Sequence, residues 1–248
     1  MNLVILAAGY ATRLYPLTLT QPKPLLTVAG QPMIDYVLDN LAPIGGIRRV
    51  HVVTNAKFAG HFQKWADGYR ATKSKLDFTI VNDGSTDDSN KLGAIGDLHL
   101  VITREKVDDD LIVVAADNLF SESLGAFVAY CRQKNAPVLG IYDVGNFEEA
   151  RKYGVVDLDA EGRIVRFEEK PKQPASTLIG IALYFYPRHL VPVISQYIAE
   201  GNNPDQPGRL IQWLYPRLPV YTWPVPGTWH DIGSKATLEE ANRIFANR

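Results

Sequence analysis

Residues 3–8, LVILAA, form an apolar run without a break, and the run stops at Gly9. Continuous apolar runs suit a strand buried on both faces of a parallel sheet. A glycine at its end lets the chain turn sharply and lets a ligand approach the backbone amides. Arg13 follows the turn, and Lys23 lies between Pro22 and Pro24. Together with Pro16, those prolines keep the segment from continuing as a helix. A strand, a small-residue turn and fixed cations make a place to hold phosphates. Two familiar phosphate signatures, GxxxxGK[ST] and GxGxxG, are absent, so neither a P-loop nor a dinucleotide fingerprint explains the stretch. Taken by itself, the segment reads equally well as a strand and turn carrying a surface Arg and Lys.

Further along, apolar strand patterns alternate with helical spacing. The pattern predicts a helix over 32–41, ended by Gly45-Gly46, then a strand over 49–54 and a helix over 58–69. A strand over 78–81 opens into the polar loop NDGSTDDSNKLG, and helical spacing resumes over 93–103. Residues 111–116, LIVVAA, are the most apolar strand and stop at Asp117; a helix over 124–134 and a strand over 137–142 follow. Such alternation argues for an α/β fold, a Rossmann-like and mostly parallel mixed sheet flanked by helices, with ligands along the carboxyl edge of the strands. From about Tyr153 the pattern changes to a hairpin, GVVDL–DAEG–RIVRF, and a longer strand over 177–186. Helices over 189–200, 209–215 and 236–245, with a strand over 220–225, complete a single domain spanning 1–248 with a small β-rich insertion.

Charge and cysteine usage exclude several classes of function. With 26 basic and 27 acidic residues and a formal net charge of −1, nothing favours bulk binding to nucleic acid or to a membrane surface. A single cysteine, Cys131, allows no intrachain disulfide and no cysteine-rich zinc module, and its context reads as a core thiol on a helix. No apolar run is long enough to cross a bilayer, and no basic-then-apolar leader opens the chain, so a soluble, cytoplasmic protein is expected.

The opening stretch resembles the N-terminal signature of the sugar-1-phosphate nucleotidyltransferases (nucleotide-sugar pyrophosphorylases), G-x-G-[ST]-R-[LM]-x-P-L-T followed by P-K-x-L. Gly9, Thr12, Arg13, Leu14, Pro16, Leu17, Thr18, Pro22, Lys23 and Leu26 match it. Ala11 stands where the family usually has its second glycine, and Ala8 where it often has another. Three further segments resemble the family in the same order: LGAIGDL, FEEKP and WHDIGSKATLEEAN.

What the resemblance implies can be set beside what each residue says alone. Asp117 at a strand end could be a cap or an oxygen ligand for Mg²⁺, which takes one or two carboxylates and completes its shell with phosphates. Asp231 could cap the last helix, although Ser234 is better placed for that; the resemblance implies that Asp117 and Asp231 bind Mg²⁺ together. His230, at a variable position of that signature, reads as structural or supporting. An EEK run is ordinarily solvated, but by resemblance Glu169 holds sugar hydroxyls and Lys170 the sugar phosphate, with Asn118 and Gly154 also near the sugar phosphate. LGAIGDL could be a plain helix start; by resemblance Gly93 lies against the nucleobase. Nucleotide contacts are implied for Leu6, Ala8, Gly9, Ala11, Thr12, Arg13 and Gly93, and catalytic roles for Arg13, Lys23 and Lys170.

By the same resemblance, 1–145 is mainly the nucleotide-binding half and 146–248 mainly the sugar-phosphate-binding half. The implied partners are a nucleoside triphosphate and a sugar-1-phosphate, without nucleic acid or membrane, and a homo-oligomer is compatible. Three alternatives stay open: a choline-phosphate cytidylyltransferase-like enzyme, a non-catalytic nucleotide-sugar-binding relative, and a glycosyltransferase of the same architecture. The last usually carries a D-x-D strand end, where this chain has Asp117-Asn118-Leu119.

Overall fold

A computed structural model describes residues 1–73 and 76–246. The chain divides into two compact units that interleave along the sequence: residues 1–92, 114–125 and 226–248 form the first, and 93–113 with 126–225 the second. Strand Leu111–Ala115 passes from the second unit into the first after Val113.

In the first unit, strands Asn2–Leu6, Arg49–Thr54 and Asp77–Asn82 are parallel, with Leu3 beside Val50 and Val50 beside Phe78. Leu3, Val4 and Ile5 are completely buried, as the unbroken apolar run requires. Helices Met33–Leu41 and Ala59–Thr72 are the crossovers between these strands. Proline begins the first of them badly as a donor but well as a conformer, and Pro32 is its N-terminal flank. The last helix, Lys235–Phe245, starts at Ser234, whose hydroxyl accepts from Thr237 N–H while the Thr237 hydroxyl accepts from Ser234 N–H. This capping box frees Asp231 from the capping role.

A two-stranded antiparallel ribbon not evident in the sequence also belongs to this unit. Asn118–Phe120 pairs with Trp229–Asp231, with Asn118 opposite Asp231. Around it, Leu14, Leu26, Met33, Leu119, Ile232 and Phe245 share one hydrophobic cluster. Leu14, Leu26, Leu119 and Ile232 lie within three residues of Arg13, Lys23, Asp117 and Asp231 respectively, so burial of the apolar members positions the charged ones.

The second unit is chiefly antiparallel. Strand Leu178–Tyr186 pairs with Val138–Asp143 and with Gly154–Leu158, and Ile164–Glu169 pairs with the latter. Tyr221–Pro224 joins Val138–Asp143 in parallel. The fold is thus α/β with a mixed sheet flanked by helices, as expected. The hairpin's second strand runs on to Glu169, so the Phe167–Glu169 stretch is part of the ladder rather than a segment after it. Cys131 is buried on helix Phe127–Lys134, and burial raises its thiol pKa well above the usual range. No helix among the described residues is long and apolar enough to cross a membrane.

Candidate active site

The first strand delivers the chain to the carboxyl edge of the parallel strands. Leu6 C=O accepts from Ala116 N–H at 3.0 Å, and Ala7 N–H donates to Val53 C=O at 2.9 Å. Residues 7–11 then turn away as a loop. A Cβ added to Gly9 would meet no atom within 4 Å. Ala11 takes a left-handed backbone, φ 48 and ψ 44, which explains why glycine suits that position; the alanine costs roughly 1–2 kcal/mol there. Thr18 steadies the turn by donating from its hydroxyl to Ala11 C=O at 2.9 Å. The backbone N–H groups of Gly9, Tyr10 and Ala11 have no acceptor among the described residues. Successive unpartnered N–H groups in a tight turn form an anion-binding concavity.

Arg13 stands exposed on the turn Thr12–Leu14, held by the buried Leu14 beside it. Its guanidinium reaches toward Gly233: a Cβ there would lie 3.9 Å from Arg13 Nη1 and 3.9 Å from Asp231 Oδ2. Lys23 starts a turn between its two prolines, and its side chain is only 12% exposed. Its ammonium donates to Asp117 Oδ2 at 2.5 Å and lies 3.9 Å from Asp231 Oδ1. Two carboxylates, Asp117 just before strand Asn118–Phe120 and Asp231 at the end of its partner strand Trp229–Asp231, therefore face one cation. Asn118, beside Asp117, is buried in the ribbon, and His230 packs edge-on against Phe245.

This donor set suits a divalent ion. The two carboxylates already share a positive group, so the pair is arranged to neutralise cationic charge. Among the described residues no group of three or more His, Cys, Asp or Glu side chains gathers. A hard ion such as Mg²⁺ would complete its shell with substrate oxygens, as it commonly does.

The second unit contains the remaining candidates. Gly154 opens its strand opposite Glu169, and the Phe167 ring occupies the space a Cβ on Gly154 would need. The Glu169 carboxylate similarly lies where a Cβ on Gly208 would go. Burial raises the Glu169 pKa, and the opposing charges of Lys170 and Arg209 only partly offset this. Lys170 is exposed and holds a left-handed backbone, φ 50, while its N–H donates to Tyr153 C=O at 3.0 Å. Such strain in a non-glycine residue is uncommon and concentrates at functional positions. Gly208 and Arg209, whose Nε donates to Gln206 Oε1 at 3.1 Å, carry no sequence signal that could have singled them out.

Gly93 has a structural duty of its own. At φ 80 it precedes helix Ala94–Arg104, whose first N–H groups, those of Ala94 and Ile95, donate to Asp205 and Pro204 C=O. A Cβ on Gly93 would sit 2.6 Å from Asp205 Cα, so the missing side chain makes room for backbone.

A family profile described as nucleotidyl transferase matches residues 2–248. The chain belongs to the nucleotidyl transferase family. Among relatives of this nucleotidyl transferase, the bifunctional protein GlmU of Methanocaldococcus jannaschii is 26% identical over 100% of this chain and 55% of its own length. AglF of Haloferax volcanii, a UTP–glucose-1-phosphate uridylyltransferase, is 31% identical over 77% of this chain and 76% of its own. The chain thus spans little more than half the length of the first relative. A Bacillus anthracis protein crystallised with sucrose superposes with a TM-score of 0.84 at 25% identity, covering 100% of this chain and 96% of that one.

Proposed function

We propose that the protein condenses a nucleoside triphosphate with a sugar-1-phosphate to give a nucleotide-sugar and pyrophosphate. The observation that carries this reading is Lys23 held against both Asp117 and Asp231, in the unit that also presents the unpartnered amides of residues 9–11. Family membership and the 31% identity to a uridylyltransferase support it.

In this reading a phosphate oxygen of the sugar-1-phosphate attacks the α-phosphorus. A new P–O bond forms, the α–β bridging P–O bond breaks, and pyrophosphate leaves with the electron pair. The attacking oxygen is already anionic near neutral pH, so no side chain has to remove a proton. What opposes the reaction is repulsion between two polyanions, and fixed cations relieve it while holding the reactants in line. Arg13 takes the β- and γ-phosphates, for which its planar fork suits two oxygens at once. The loop amides of Gly9 and Ala11, with Thr12, cradle the same triphosphate, and Leu6, Ala8 and Gly93 form the surrounding nucleotide contacts. Lys23 neutralises charge at the reacting phosphates. Lys170 holds the incoming phosphate, while Glu169, Gly154 and Asn118 serve the sugar side. Mg²⁺ on Asp117 and Asp231 would polarise the α-phosphate and offset its growing charge. The cytoplasm, which supplies nucleoside triphosphates, is the compartment that fits this chemistry.

A matrix assay tests the proposal. Each nucleoside triphosphate, including dTTP, is paired with several hexose-1-phosphates and with phosphocholine, and pyrophosphate release is followed. Release with UTP or dTTP and a hexose-1-phosphate is expected. Release only from CTP with phosphocholine would replace the sugar by choline, and nucleotide-sugar binding with no release anywhere would make the chain a sensor. Full activity in excess chelator would remove the two aspartates from metal binding.

A further inference from the structure

Asn55 immediately follows strand Arg49–Thr54, is completely buried, and uses both its carboxamide oxygen and its nitrogen in hydrogen bonds. Its Oδ1 accepts from Phe58 N–H at 3.2 Å, which fixes the carboxamide plane at the start of the next helix. Its Nδ2 donates to Ala8 C=O at 3.0 Å, across 47 residues of sequence. Ala8 and Gly9 are joined by a trans peptide, since Tyr15–Pro16 holds the chain's one cis bond among the described residues. In a trans peptide the C=O and the following N–H point to opposite sides of the chain. A carbonyl drawn inward to Asn55 therefore turns Gly9 N–H away from Asn55, and Gly9 is itself exposed. Two neighbouring links hold the same loop edge: Tyr10 hydroxyl meets Ser85 Oγ at 3.2 Å, and Ala56 N–H donates to Ser85 C=O at 2.9 Å.

We propose that Asn55 is a positioning residue for triphosphate binding, its buried carboxamide holding the Ala8–Gly9 peptide so that Gly9 N–H faces the phosphates. The inference rests on the phosphate-binding reading of residues 9–13. Asn55 touches no substrate; it acts through one peptide plane. Burial of the amide makes this more than a loose tether, because a buried polar group that loses its partner suffers the full desolvation penalty.

Asn55→Ala removes both bonds, whereas Asn55→Asp keeps an acceptor for Phe58 N–H and loses the donor to Ala8. Affinity for UTP, for dTTP and for the base-free probe tripolyphosphate is measured by calorimetry, alongside steady-state constants and melting temperature. Both variants should bind all three probes ~10-fold more weakly, the scale of one lost hydrogen bond. The triphosphate KM should rise while the KM for sugar-1-phosphate stays unchanged, a split that mere loss of stability would not produce. Lower melting temperature with unaltered affinities in both variants would overturn the proposal. If neither variant folds, the wild-type protein decides: tripolyphosphate should shift the Gly9 amide in ¹⁵N spectra while the Asn55 side-chain NH₂ stays protected from exchange. Rapid exchange of that NH₂ would overturn the role of Asn55 alone. Absence of any tripolyphosphate binding to the wild type would overturn the phosphate-site reading beneath it.

Discussion

The glycines at the candidate site positions do opposite work in the two units. In the first, space beside Gly9 is open, and the same unit gathers Lys23, Asp117 and Asp231, with Arg13 reaching toward Gly233. In the second, the space beside Gly93, Gly154 and Gly208 is filled by the Pro204–Asp205 backbone, the Phe167 ring and the Glu169 carboxylate. The first unit leaves room for a ligand and balances charge across distant segments. The second uses missing side chains so that its own groups can pack, and what it exposes is Lys170 in a left-handed backbone. An open glycine beside unpartnered amides leaves its side-chain space to a ligand, whereas a filled one leaves only its backbone to meet one.

The largest expected effects fall on catalysis, and they test whether both regions act on the reaction. Asp117→Asn in the first unit and Lys170→Ala in the second should each lower kcat ~10²–10⁴-fold, the scale of one lost electrostatic stabiliser. Pyrophosphate release at saturating substrates measures this. Ordinary turnover in Lys170→Ala would leave chemistry to the first unit, and ordinary turnover in both would break the assignment.

Stability separates the glycines next. Gly93→Ala forces a Cβ against backbone and strains a φ of 80, so about 3 kcal/mol of unfolding free energy should be lost. Denaturant titration of the two proteins would show it, and an unchanged midpoint would mean that the 204–205 segment yields readily.

Acidification should act on the first unit through His51. That ring is buried in strand Arg49–Thr54, and burial together with the nearby Arg49 charge lowers its pKa from 6.5 to about 4. The unfolded chain therefore binds the proton first, so stability is complete above about pH 6.5 and falls as the pH drops toward 4. By pH 5 the loss should be about 2 kcal/mol. A denaturation midpoint equal at both pH values, or the same decline in His51→Gln, would show that other groups carry the acid sensitivity.

Gly9→Ala should have the smallest effect on stability, within ~0.5 kcal/mol, because no atom lies near and the backbone is not left-handed. A clearly lowered melting temperature would erase the contrast between open and filled glycines.

Local chemistry made much of this protein legible before any coordinates. The apolar run at the N-terminus is the buried strand Asn2–Leu6, RVHVVT is the strand Arg49–Thr54, and Ser234 is the cap of the last helix. Each follows from interactions within a few residues, which periodicity and capping rules describe. Three-residue strands do not announce themselves in that way. Asn118–Phe120 and Trp229–Asp231 are too short for a pattern, and their pairing is what sets Asp117 and Asp231 around Lys23. Likewise nothing near Asn55 in the chain shows that its amide will reach Ala8. The first meeting goes with burial of Leu14, Leu26, Leu119 and Ile232 together, and the second with the parallel pairing of strands Asn2–Leu6 and Arg49–Thr54. Both are collective apolar terms that bring polar neighbours along and exist only once the chain has closed on itself.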